Sequence, residues 1–273
     1  MSSAPPPVLP ALRPTRVPTR RFATLRTVMA LVLREMSTRY GRTPGGYIWG
    51  ILEPLGAIIV LSIGFGLLLR APPLGTTFLL FYATGYLPFN LYQSVSLMVA
   101  RAIGFSRPLL LYPAVTWVDA VLARFLLNSL TGILVTIILL AGILTVTDNR
   151  TVLDIPPVLM AMALAMLLGL GIGVLNCAVI GLFPVWDVIW SMITRPLFIA
   201  SGILFLYDNL PQLAREILWY NPLVHITGLM RQGFYPMYKP LYINEIYVAL
   251  TALVPLVLGL ILLGRYHRDI LNR

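Results

Sequence analysis

REMSTRYGRTPGGYIWGILEPLGAIIVLSIGFGLLL, residues 34–69, passes within a few positions from Arg-rich polar sequence to an apolar run of membrane length. The apolar part, from about Gly46 to Leu69, exceeds the roughly 20 residues that a helix needs to cross a bilayer core. Glu53 and Pro54 sit inside it. A charge at that depth costs about 2.5–3.5 kcal/mol on the insertion scale, so it pairs, faces water or serves function. Proline removes a backbone donor. The stretch predicts a membrane helix with a fixed polar point and a break near its inner mouth. Gly45, Gly46 and Gly50 offer a tight turn and a small-residue face for close packing.

Composition extends that reading to the whole chain. Of 273 residues, 58% are hydrophobic and only 11% charged, against roughly 25% charged in soluble domains. Mean hydropathy is +0.85. An all-α polytopic membrane protein is expected. The net charge of +10 does not point to nucleic acid, because Lys239 is the only lysine and the arginines gather beside apolar runs. That is the positive-inside pattern. Cys177 is the only cysteine, so no intrachain disulfide can form and a packing role is expected. Residues 1–20, MSSAPPPVLPALRPTRVPTR, lack an apolar core of signal-peptide length and read as a disordered cytosolic tail.

Six segments have spanning length: about Gly46–Leu69, Thr77–Val99, Val121–Val146, Ile155–Phe183, Val188–Leu206 and Ile246–Leu263. Arg13, Arg16, Arg20, Arg21, Arg26, Arg34, Arg39 and Arg42 precede the first span. Arg101 and Arg107 lie between spans two and three, and Arg265, Arg268 and Arg273 follow the last. With six spans all three groups share one side, the cytosol, together with both termini. The opposite loops carry Asp148, Asp154, Asp208, Glu216 and Glu245.

Residues 21–42 place Phe22, Leu25, Met29, Val32 and Met36 at steps of three and four, one helical stripe. Arg21, Arg34, Glu35 and Arg39 forbid a span, so an interfacial amphipathic helix is predicted. Residues 43–265 form the transmembrane domain and 266–273 a cytosolic C-terminus. Within that domain, residues 207–242 are apolar yet too broken to span. Asp208 or Asn209 is placed to cap a helix before Pro211, and Asn221 caps another before Pro222. An outer re-entrant helical hairpin before the last span is expected, since such backbone survives at membrane depth only when buried or lining water.

Catalytic signatures are missing. No phosphate-binding loop with its lysine occurs, nor HExxH or GxSxG, and His225 and His267 stand apart from any second metal ligand. Gly169, Gly171 and Gly173 superficially resemble a nucleotide loop, but no strand precedes them and close helix packing is the expected role. No enzyme activity, metal or cofactor is expected in this chain.

The interfacial helix, then RYGRTPGGYIWGILEPL (Arg39–Leu55), a basic loop after span two, and LPQLAREILWYNPLVHITGLMRQGFYPMY (Leu210–Tyr238) together resemble the ABC-2 type permeases that export polysaccharides, most closely the capsular polysaccharide inner-membrane branch. The resemblance runs from about residue 21 to the C-terminus. O-antigen and teichoic-acid permeases share the first pattern. The resemblance implies a bacterial inner-membrane half-transporter that acts as a homodimer. Two copies of a cytosolic ATPase, holding ATP and Mg, would drive it, and periplasmic and outer-membrane export proteins would continue the path. The substrate would be a lipid-linked acidic polysaccharide. It also implies that residues 101–113 form a coupling helix inserted into the ATPase, with Arg101, Phe105, Arg107, Leu109 and Tyr112 at the contact. Apolar side chains exposed on a cytosolic loop need a partner in any case.

Glu53 and Arg195 lie at similar depth, roughly 10 Å and 10–13 Å from the cytosolic face at about 1.5 Å per residue. Either they pair, within one protomer or across the dimer, or Arg195 faces the channel and binds acidic substrate groups. Tyr82, Tyr86 and Phe89 share one helical face, as do Trp186 and Trp190, while Tyr47 and Trp49 bracket the inner mouth of span one. Aromatic faces suit sugar rings, although interfacial belts and cores use them too. His225 and Arg231 in the outer hairpin are candidates for lipid phosphate, substrate or a periplasmic partner, or are capping side chains. The competing classes are an ATP-independent flippase or secondary transporter, which would want more intramembrane acids than Glu53, and a membrane glycosyltransferase, for which Asp119 and Asp187 are isolated.

Overall fold

The computed structural model describes residues 23–40, 46–110, 112, 115–147 and 153–272. The expected tail and much of the turn before span one lie outside the described residues, as do the side chains of Arg39, Tyr40 and Tyr47. The described residues form helices and no strand. In order they are α1 (Ala23–Tyr40), α2 (Gly46–Leu68), α3 (Phe78–Ala100), α4 (Ala102–Leu110), α5 (Trp117–Val146), α6 (Ile155–Leu182) and α7 (Val185–Ala200). A 3-10 turn (Tyr207–Asn209) leads to α8 (Gln212–Leu218), α9 (Pro222–Phe234) and α10 (Glu245–Asn272).

Four helices are long and apolar enough to cross a membrane: α2, α5, α6 and α10. The two other expected spans fall on α3 and α7. α3 has 23 residues but carries Thr84, Asn90, Gln93, Ser94 and Ser96. α7 has only 16 residues, about 24 Å of helix, where a bilayer core measures about 30 Å.

These six helices run in alternating directions between two ends of one bundle. At one end Arg101 meets Asp187, Trp117 meets His267 and Gly181 lies against Ile270. At the other, Asp154 N–H donates to the Gly233 carbonyl at 2.9 Å and Tyr247 Oη–H donates to the Tyr220 carbonyl at 2.7 Å. Arg101, Arg107, Arg265 and Arg268 thus share an end, opposite α8 and α9.

α3 and α6 form the core, with α10 on the far side of α6 and α5 and α9 against α3. Apart from Asn176, α6 is apolar on every face, as expected of a helix packed among others. Its glycines let backbones meet. A Cβ on Gly169 would stand 2.9 Å from the Tyr92 carbonyl oxygen, one on Gly173 2.9 Å from that of Ser96, and one on Gly171 would collide with the carbonyl of Ala252 in α10.

Three local expectations change. Pro54 does not break α2, which runs through it. Proline cannot donate to the Gly50 carbonyl, but Gly50 and Pro54 line an opening rather than a packed contact, so the freed group is not sealed in. Neither Asp208 nor Asn209 caps α8, because the 3-10 turn uses both and α8 starts after an extended Pro211. The α1 face that meets protein is Val28, Leu31 and Glu35, buried against α5, while Leu25, Met29 and Leu33 are exposed.

Candidate functional site

A cavity of about 570 Å³ opens between α3 and α7. Tyr92, Gln93, Ser96 and Leu97 come from α3, and Trp190, Ser191, Thr194, Arg195 and Phe198 from α7. Arg101 and Asp187 stand at its basic end. Why α7 presents this row is local. Trp190, Thr194 and Phe198 recur every fourth residue, and Ser191 and Arg195 accompany them, so one face of one helix carries them. Trp186 anchors the row from below: its Nε1–H donates to Asn176 Oδ1 of α6 at 2.9 Å, and its ring stacks on Trp190 with centroids 6.2 Å apart. Phe198 packs edge-on against Phe89 at 5.4 Å and Tyr86 at 6.3 Å.

A second opening, about 290 Å³, lies on the other flank of α3, between α2 and α5. Glu53, Tyr86, Asn90, Gln93, Ser94, Asn128, Thr131 and Thr136 line it. Gln93 and Leu97 border both openings, so α3 is a polar ridge between them. Polar side chains in a membrane-length helix are costly unless they face water, protein or substrate. Sequence reasoning missed this ridge. The signal was present: Asn90, Gln93, Ser94 and Leu97 follow i, i+3, i+4, i+7 inside the expected span two.

The other predicted residues distribute as follows. Tyr82 and Phe89 are enclosed and reach neither opening; Tyr82 sits among Phe65, Phe78 and Phe81. Trp49 is exposed near the start of α2. Glu53 and Arg195 are both exposed and do not meet within the chain; they border different openings.

Residues 102–110 of the expected coupling segment are helical, as α4. Phe105, Arg107 and Tyr112 are exposed, and Leu109 is half-buried against α1 and α5. Arg101 pairs with Asp187 at 3.3 Å, so neither stands isolated. Asp119 is not isolated either: it forms a capping box with Thr116 at the start of α5, accepting from the Thr116 N–H at 2.9 Å.

In the outer hairpin both candidates are interior. Arg231 donates to the carbonyls of Phe205 (3.0 Å) and Ile203 (2.9 Å), and its guanidinium lies 4.1 Å from the Phe81 ring centroid. Thr227 donates to the Ser201 carbonyl at 2.9 Å and Asn221 Nδ2–H to that of Ala200 at 2.9 Å. α9 thereby satisfies the non-helical backbone that follows α7. His225 accepts at Nδ1 from the Asn244 N–H (3.2 Å) and so donates from Nε2–H to the Trp219 carbonyl (2.8 Å).

The family model described as ABC-2 type transporter matches residues 26–235. The polysialic acid transport protein KpsM of Escherichia coli is 31% identical over 236 residues, covering 86% of this chain and 92% of that protein. The capsule polysaccharide export inner-membrane protein CtrC of Neisseria meningitidis serogroup B is 29% identical over 248 residues, 90% of this chain and 92% of that one. The capsule polysaccharide export inner-membrane protein BexB of Haemophilus influenzae is 28% identical over 248 residues, with the same coverage of each chain.

Proposed function

The chain belongs to the ABC-2 type transporter family, and on that premise we propose that it is the inner-membrane permease subunit of an ATP-driven exporter of lipid-linked capsular polysaccharide. The family match over residues 26–235 carries this reading, and the capsule exporters among its relatives direct it to that substrate class.

The chain crosses the membrane six times in this reading. α3 joins the four apolar helices because its polar residues are covered by neighbours or face openings. α7 joins because the buried segment from Ser201 to Leu206, held by α9, completes its passage. The Arg-rich end faces the cytosol, with both termini, and the α8–α9 hairpin faces outward. ATP and Mg belong to two copies of a partner ATPase, which docks on α4 through Phe105 and Arg107 and on Tyr112 just beyond it. Periplasmic and outer-membrane proteins take the polymer onward.

Two copies of the chain form the path. α2 leaves Trp49, Val60, Ile63 and Leu67 exposed, and α7 buries no residue fully, so both helices offer surface to a second copy. Trp190 and Tyr86 supply faces for sugar rings, and Arg195 a cation for acidic groups. Pairing of Arg195 with Glu53 then requires the second copy. If Glu53→Arg with Arg195→Glu restores export lost in the single reversals, the two residues pair; if export stays lost, Arg195 serves the substrate.

The direct test is ATP-dependent movement of lipid-linked polysaccharide into proteoliposomes holding the chain and its ATPase. Transport that needs ATP supports the reading. Equal movement without ATP or ATPase would identify a flippase instead, and transport only of O-antigen or teichoic-acid polymers would reassign the substrate.

A further inference from the structure

Helices that the transport reading uses separately meet at one buried cation. Arg124, about two turns into α5, forms a 3.2 Å ion pair with Glu35 of α1, and each side chain is only 6% exposed. Arg124 Nη1–H donates to the Met98 carbonyl near the end of α3 at 2.9 Å. The guanidinium lies 4.2 Å from the ring centroid of Phe105 in α4, and Phe105 is itself 44% exposed. Arg34 of α1 stands 5.9 Å from the same ring.

A buried ion pair is a poor source of net stability, because desolvating two ions roughly offsets their attraction. Nor is it needed to hold α1, since Val28 and Leu31 already pack on Ala123 of α5. What it supplies is fixed geometry: a planar guanidinium can hold a carboxylate, a carbonyl and a ring face together. We infer that Arg124 is a positioning residue of the transport cycle. It ties the exposed ring of α4 to α1 and to the end of α3, the helix whose Gln93 and Ser96 line the large cavity. Movement imposed on Phe105 by the motor is thereby carried to the cavity wall. The inference rests on the permease reading.

The test uses the full chain with its ATPase in proteoliposomes. Removing Arg124 alone would leave Glu35 buried and unpaired, so the variant is Glu35→Met with Arg124→Met. It is expected to reach the membrane, co-purify with the ATPase at parent yield and hydrolyse ATP, yet export polysaccharide at least tenfold more slowly. Arg124→Lys keeps a cation for Glu35 but lacks the planar fork that holds the Met98 carbonyl and the Phe105 ring together with it, and is expected to show the same split. Parent-rate export by the double variant overturns the inference, as does parent-rate export by Arg124→Lys. Loss of the ATPase from the double variant, or of that variant from the membrane, overturns it in favour of a purely structural pair. If the parent complex exports nothing, the permease reading fails and this inference falls with it.

Discussion

Arg231 carries a charge into a place where its described partners are backbone carbonyls rather than a carboxylate. Those carbonyls belong to the segment where α7 has stopped, so the side chain substitutes for missing helix bonds. Arg231→Met leaves both without a donor, at about 1–3 kcal/mol each. The expected result is a marked drop in thermal stability of the purified protein. Arg231→Lys should recover part of it, because an ammonium lacks the fork that reaches both oxygens. His225 is a second case. Burial holds its pKa below the usual value, with the hydrogen bond to the Trp219 carbonyl pulling the other way. Protonation at Nδ1 would also forfeit the Asn244 N–H. The unfolded chain takes up that proton near pH 6.5 while the folded chain resists it. Stability is therefore full above that value and falls as pH drops through and below it. Thermal unfolding measured from pH 8 to 5 should show this decline, and His225→Gln should flatten it. The sequence named both residues but could not tell a solvated side chain from an interior clamp, because their partners lie 6 to 28 positions away.

At the scale of elements, α6 shows how a glycine cluster is read. The sequence, with no strand before the glycines, already favours helix packing over phosphate binding. The surroundings decide: Gly169 and Gly173 abut α3, and Gly171 abuts α10. Gly171→Val should push α10 away and lower both folded yield and thermal stability, whereas Gly142→Ala, with open space around it, should change neither. Helix positions were legible because each is a long apolar run between polar or basic breaks. The end of α7 at Ala200 was not. Val188–Leu206 reads as one span despite Ser191, Thr194 and Arg195, and the helix stops where α9 side chains offer its backbone other partners. The half-burial of Leu109 was likewise not legible, since it comes from the packing of α1 on α5.

For the whole molecule, the unpartnered surfaces of α2 and α7 predict a homodimer. The native Cys177 is buried, so single cysteines placed at Ile63 or Met192, both largely exposed, report on the surface alone. A bifunctional maleimide should link two copies in membranes through one of these positions; monomer only from both would exclude these faces as the interface. Sequence by itself determined the membrane class, the helices and their order, the charge asymmetry and the family likeness, because those follow from local composition and from motifs continuous in the chain. Only the tertiary structure decided which polar residues meet. Glu35 with Arg124, Arg101 with Asp187, and Arg231 with the backbone beyond α7 join positions 26 to 89 apart in sequence. In an apolar interior a polar group is stable only with its partner, and the partner is chosen by how the helices pack rather than by its place in the chain.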